Sequence, residues 1–296
     1  INSNGSIGAW SLAGSLNSLD GSNDGITISS YGNYVYYFGD LWDPTTTVRY
    51  AQIYSSGTLS AWATTTPLPS QVSFSTTFAN RGYVYSLVPD STTVRFAPVN
   101  ANGTLGSWQN TTAFPVARSG GISASPIWNN KVYIIENSDS FKNIYVADLN
   151  PNGTLGSWQI AGLAPTDLGA MSNGLVAYNG GLLFAGGSEF CPMAQFERAH
   201  WSKILPDGSL DRWEIVDQSI LDFSEPEGFG DANGLAVSPG GYAYFLGNYW
   251  CSGIGTTTVS YIKLGGNSTH WGLSVPDGSA IGTYSGVNTI TAVYSP

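Results

Sequence analysis

The sequence predicts an all-β protein, a β-propeller of four-stranded antiparallel blades occupying residues 1–296 as one domain. Three observations predict it. A short phrase, a turn followed by an aliphatic residue and a tryptophan, recurs along the chain. A β-rich hairpin precedes it in copy after copy. No stretch carries convincing helical periodicity. The phrase reads NGSIGAW ending at Trp10, SGTLSAW at Trp62, NGTLGSW at Trp108 and again at Trp158, DGSLDRW at Trp213, and a degraded NSTHW at Trp271. A period of about 50 residues means stacked copies of one supersecondary unit.

Each strand of the unit has its own signal. The second strand is the plainest: NYVYYFG after Gly32, YVYSL after Gly82, KVYIIEN from Lys131, GLLFAGG from Gly181 and GYAYFLG from Gly241. Turn residues precede each, and a shorter apolar or alternating run precedes the turn, which makes a hairpin. A third run follows: TVRYAQI from Thr47, TVRFAPV from Thr93, NIYVADL from Asn143 and TVSYIKL from Thr258. There Val94, Phe96 and Pro98 fall on one face and Arg95 and Ala97 on the other. An Asn-Gly or Asp-Gly pair, tolerant of the positive φ of a tight turn, then leads into the tryptophan strand.

Four strands at this period make a propeller blade. The hairpin GYVY followed by TVRFAPVNANGTLGSW resembles the kelch-like repeat propellers of bacterial and archaeal cell surfaces. That resemblance covers nearly the whole chain, and it implies a propeller without implying one function. A double glycine after the second strand survives clearly only as Gly186-Gly187. The phrase is also not a sialidase Asp-box, because Gly directly follows the Asn or Asp and Trp stands six residues after it.

The termini match as well. AVYSP joined to INSNGSIGAW mirrors VRFAPVNANGTLGSW. Six blades are therefore favoured, the closing one shared by both ends so that no edge stays exposed. The alternatives are five blades with a terminal strand, and terminal strands that pair between subunits in a filament.

Composition narrows the function classes. Charged residues make up 10% of the chain, against roughly 25% in an average domain. The net charge of −10 speaks against nucleic acid, which demands clustered Lys and Arg. No run approaches the length of a membrane-spanning helix, so membrane insertion is not expected. The first residue is Ile, which suggests a processed or excised piece of a longer product.

Cys191 and Cys251 are each the eleventh residue after the first Gly of their own copy. Equivalent loops of adjacent blades lie close together, so a disulfide between them is the favoured reading, two free thiols the other. A disulfide implies an extracellular or cell-surface setting. Sequons stand at Asn4, Asn102, Asn110, Asn152 and Asn267, candidate glycosylation sites. At Asn4, Asn102 and Asn152 turn chemistry alone accounts for the asparagine.

Half of the acidic residues fall between Glu189 and Asp231, densest at Asp222, Glu225, Glu227 and Asp231. Such oxygen-rich loops can hold Ca²⁺, though the spacing matches no defined calcium loop and a solvated inter-blade loop is the plainer reading. No other cofactor is expected. The repeat tryptophans Trp10, Trp62, Trp108, Trp158, Trp213 and Trp271 are read as packing between blades, with sugar stacking as the alternative.

Enzyme chemistry is not favoured. No G-x-S-x-G elbow appears. His200 and His270 are far apart in the repeat, and the cysteines look committed to each other, which leaves no set like the copper site of galactose oxidase. The function expected is a non-catalytic surface propeller for adhesion, recognition or assembly, with a protein or glycan partner or with itself through the terminal strands. A lectin-like carbohydrate-binding propeller is the alternative. A carbohydrate-active enzyme working through carboxylates of the 222–231 loop is the third.

Overall fold

A computed structural model describes residues 13, 27–38, 45–72, 75–117, 124–136, 143–165, 174–185, 199–215, 232–237, 242–247 and 259–263. Backbone contacts divide the chain into two compact units, Ile1–Leu264 and Gly265–Pro296. All described residues belong to the first.

Every described element is a strand. Blade one comprises β1 (Thr27–Tyr31), β2 (Tyr34–Phe38), β3 (Val48–Gln52) and β4 (Ala63–Thr64). Blade two comprises β5 (Thr76–Asn80), β6 (Tyr83–Leu87), β7 (Val94–Pro98) and β8 (Gln109–Asn110). Blade three comprises β9 (Ile127–Trp128), β10 (Lys131–Ile135), β11 (Asn143–Asp148) and β12 (Gln159–Leu163). Blade four comprises β13 (Leu175–Tyr178), β14 (Gly181–Ala185), β15 (Ala199–Lys203) and β16 (Glu214–Ile215). In each, four antiparallel strands follow in sequence order. A further sheet, β17 (Ala232–Val237), β18 (Tyr242–Gly247) and β19 (Val259–Lys263), carries three strands.

The all-β propeller of four-stranded antiparallel blades therefore stands. Its blade number differs from the expectation. Four complete blades are present among the described residues, not six or five. The reason is that the tryptophan period counts phrases, and a phrase is not a sheet. The phrases ending at Trp10 and Trp271 lie outside the described residues, as does any closure by the C-terminal strand.

The inner hairpins form because their turns tolerate left-handed backbone. Arg81-Gly82, Asn129-Asn130 and Asn179-Gly180 each place two residues at positive φ, the two-residue turn whose twist matches the strands it joins. Asn and Gly adopt that conformation readily. Arg81, at φ 51°, does so without a side chain suited to it.

The hydrophobic core sits between blades. Tyr36, Phe38 and Val48 of blade one pack with Val84, Ala97 and Leu105 of blade two. Phe78, Tyr85 and Phe96 of blade two pack with Val132, Ile134 and Leu155 of blade three. Tyr133, Ile135 and Ile144 of blade three pack with Leu175, Leu182 and Phe184 of blade four. This explains why alternation along the third strand fails to separate core from surface. Val94, Phe96 and Ala97 are all buried, because a blade is covered on both faces.

Candidate functional site

The recurring phrase works as a clasp on the preceding blade. Its aliphatic residue starts each outer hairpin, through the bridges Ile53–Leu59, Val99–Leu105, Leu149–Leu155 and Ile204–Leu210. Leu105 N–H donates to Thr65 Oγ1 at 2.6 Å, Thr66 Oγ1 donates to Leu105 O, and Trp108 Nε1 donates to Thr66 O at 3.1 Å. One blade on, Leu155 N–H donates to Thr111 Oγ1 at 2.7 Å, Thr112 Oγ1 to Leu155 O at 2.6 Å, and Trp158 Nε1 to Thr112 O at 3.3 Å.

The next joint keeps the geometry and changes the chemistry. Leu210 N–H donates to the main-chain oxygen of Ala161 at 2.8 Å, and Trp213 Nε1 to Leu163 O at 2.6 Å. Ala13 O accepts from Leu59 N–H at 2.8 Å. Ala13 stands three residues after Trp10, as Ala161 does after Trp158. Ala13 thus receives Leu59 of blade one as Ala161 of blade three receives Leu210 of blade four.

Tyrosines and glycines complete the joint. Tyr36 OH donates to Gly103 O at 2.8 Å and Tyr133 OH to Gly208 O at 3.2 Å. Burial, followed by the charges of Asp148 and Asp207, pushes the Tyr133 phenol up to about 12. Gly153, at φ +85°, lies so close to its neighbours that a Cβ would come within 2.6 Å of Tyr83 and 2.7 Å of Phe96. That turn requires glycine for both its conformation and its space.

Trp62, Trp108, Trp158 and Trp213 are half-buried. Trp108 lies edge-on to Phe38, Trp158 to Phe114 and Trp213 to Phe184. Asn102, Asn110 and Asn152 are exposed. The side-chain oxygens of Asn102 and Asn152 accept from their own Thr104 and Thr154, and Asp207 binds Ser209 in the same way. In blade one Ser56 Oγ takes the same place against Thr58, so the turn uses an Asx or serine oxygen. At Asn110 the sequon's Thr112 hydroxyl is committed to Leu155 O. His200 is buried at the centre of blade four, opposite Phe184 and Ile215.

Trp10, Trp271, Cys191, Cys251, Asn4, Asn267, His270, Asp222, Glu225, Glu227 and Asp231 lie outside the described residues. The strand ends that flank some of them do have positions. Segment 186–198 joins β14 to β15, 216–231 joins β16 to β17, and 248–258 joins β18 to β19. The anchors Ala185, Ala199, Ile215, Ala232, Gly247 and Val259 all fall at the same end of their sheets. Among the described residues no cluster of His, Cys, Asp and Glu is arranged to hold a metal.

The most unusual chemistry lies between blades one and two. Opposed residues on neighbouring strands share a face of a sheet. At one level blade three carries Ile134, Tyr145 and Ile160, and blade four carries Leu175, Phe184, His200 and Ile215. At the same level blade two carries Thr77, Ser86, Arg95 and Asn110. Ile134 and Phe184 pack on the preceding blade, so the polar row of blade two faces blade one.

Ser86 and Ser75 hydroxyls are hydrogen bonded at 2.7 Å, and Arg95 Nη1 donates to Ser70 Oγ at 2.9 Å. Burial lowers the pKa of the Arg95 guanidinium, which stays cationic at any ordinary pH. Two further hydroxyls of this joint, Ser29 Oγ and Thr77 Oγ1, are buried without a hydrogen-bond partner. The sequence reading missed this row and the threonine clasp. The signal for the clasp was present, since both Trp62 and Trp108 are followed at the third and fourth positions by Thr-Thr. The row shows only once strand register is known.

No family model matches the chain, and no curated protein matches its sequence. Among solved structures it is similar to YjhT, with a TM-score of 0.53 and 15% identity over 75% of this chain and 71% of that chain. It is also similar, with a TM-score of 0.44 and 17% identity, to a candidate 6-phosphogluconolactonase from Bacteroides uniformis, over 65% of this chain and 55% of that one. At such identity the likeness to YjhT speaks for the fold alone, and the second is too loose to add to it. The kelch-like kinship expected from the phrase has no family match behind it; the propeller itself stands.

Proposed function

We propose that this chain is an extracellular, non-catalytic propeller that serves recognition or assembly at a surface. The observation that carries this reading is the contrast along its outer strands. Two residues after the tryptophan, blades one and two present Thr64 and Asn110, both exposed. At the same position blades three and four present Ile160 and Ile215, 59% and 53% exposed, joined by Leu163 at 62%. Aliphatic residues repeated at one exposed position on adjacent blades form a patch of the kind that marks a protein-binding surface. The clasps hold those blades in fixed relation, so the patch is presented on a rigid support.

Sedimentation of the wild-type chain beside the variant Ile160→Thr/Leu163→Ser/Ile215→Thr tests the proposal. The wild type should self-associate with rising concentration, and the variant should do so at least tenfold more weakly with its thermal midpoint retained. A wild-type chain that stays monomeric and also binds no surface protein or glycan in broad screens would sink it.

The second reading, a carbohydrate-binding propeller, is favoured by a different observation, the polar row of blade two. Glycan binding lost in Arg95→Gln and kept in the rim variant would separate it from the first.

A further inference from the structure

We propose that the joint between blades one and two binds a small carboxylate, with Arg95 as its anchor. The inference goes beyond the carbohydrate reading, because it requires only that a carboxylate-bearing solute reach the polar row, whether or not that solute is a sugar.

The argument begins with what the fold places there. At the level where blades three and four use Ile134 with Tyr145 and Phe184 with His200, blade two uses Ser86 with Arg95. The other joints are filled at this level by large side chains from the following blade. This one is filled by small hydroxyls and a guanidinium. Ser86 is fully buried, Ser75 is 3% exposed and Thr77 6%.

Polar groups in such a place are normally all paired. Here they are not. Ser29 Oγ, on the blade-one side, and Thr77 Oγ1, on the blade-two side, are both buried without a partner. They sit on the neighbouring strands β1 and β5. Orphaned buried hydroxyls of this kind point to a solute or water that completes them.

Arg95 supplies the charge. Its one hydrogen bond among the described residues goes to the neutral Ser70 Oγ, which leaves most of its five N–H donors unused. No described carboxylate pairs with it, in a chain with 20 acidic residues against 10 basic ones. The described carboxylates of Asp207, Asp148 and Glu136 are engaged elsewhere, by Ser209, Lys131 and Asn143. Arg95 is only partly buried, so part of this residue meets solvent. A planar fork of donors with no acceptor matches a carboxylate in two parallel hydrogen bonds, and does so better than it matches a spherical anion or a neutral hydroxyl.

The test is a titration of the whole chain by NMR, read at the Arg95 side-chain Nε–H at constant ionic strength. The probes are sodium acetate, sodium glucuronate, glucose and sodium chloride. Acetate and glucuronate should move the Arg95 signal saturably, while glucose and chloride leave it in place and the Arg49 signal stays still throughout. Arg95→Gln should weaken glucuronate binding at least tenfold, measured by calorimetry. Glucuronate bound tenfold more tightly than acetate identifies a sugar acid as the source of the carboxylate. Equal affinities identify a free organic acid. An Arg95 signal that no carboxylate saturates overturns the proposal, as does an equal response to chloride. Because the wild-type titration decides alone, a variant that fails to fold does not rescue it. A response to glucose but not to acetate or glucuronate would leave the carbohydrate reading intact and remove this one.

Discussion

The joint between blades two and three and the joint between blades three and four hold the same two partners in the same places, by different means. In the first, Leu155 is gripped by the hydroxyls of Thr111 and Thr112. In the second, Leu210 is gripped by the main-chain oxygen of Ala161. In the second a tyrosine hydroxyl also crosses the joint, from Tyr133 to Gly208 O. In the first the equivalent Tyr85 hydroxyl has no partner, and its ring lies stacked on Phe78 with centroids 4.5 Å apart. One joint is thus a side-chain clasp with an aromatic stack behind it, and the other a main-chain clasp with a phenol across it. The difference teaches that the fold specifies where Leu and Trp must land and leaves open which atoms receive them.

Alkali should break both joints together and have the largest effect. The Tyr133 phenol is raised to about 12 from an ordinary value near 10, first by burial and then by Asp148 and Asp207. Burial raises Tyr36 and Tyr85 as well. A folded-state pKa above the unfolded one means that the contribution is complete below about pH 10 and is lost as pH climbs through the folded value. Thermal midpoints read by circular dichroism should be flat to about pH 10 and then fall steeply. A flat curve to pH 12 would refute the burial of these phenols.

Targeted substitutions should separate the joints. Gly153→Ala places a Cβ against Tyr83 and Phe96 at positive φ and should cost about 2–4 kcal/mol in urea unfolding. Thr111→Val with Thr112→Val leaves the Leu155 main chain unpaired and should cost about 2–3 kcal/mol. No pair of side-chain substitutions can remove the Leu210 clasp in that way. The smallest effect sharpens the contrast most. Tyr133→Phe should lose about 1 kcal/mol, whereas Tyr85→Phe should be neutral or stabilising by up to about 1 kcal/mol. Equal losses would mean that the two phenols do the same work.

Much of the fold was legible in the sequence. The period, the turn residues and the order of four strands all follow from local chemistry that each copy repeats. Turns such as Asn179-Gly180 declare themselves, whereas Arg81 at positive φ does not. The blade number was less legible, because counting tryptophans counts phrases, and a phrase is not by itself a four-stranded sheet. Alternation along TVRFAPV could not sort core from surface, since Ala97 and Phe96 point oppositely and are both buried. The polar row was illegible for a different reason. Thr77, Ser86, Arg95 and Asn110 are unremarkable one by one and become a row only through register, which no single segment of sequence contains.

The clasp has one more consequence, for how such a chain is copied. Each described phrase grips the segment before it, so a stretch running from one tryptophan to the next carries the receiving half of one clasp and the gripping half of the next. Leu59 held by Ala13 O and Leu210 held by Ala161 O repeat one main-chain grip at two positions. A stretch repeated once more would bring to each new seam a receiving half and a gripping half of kinds already in use.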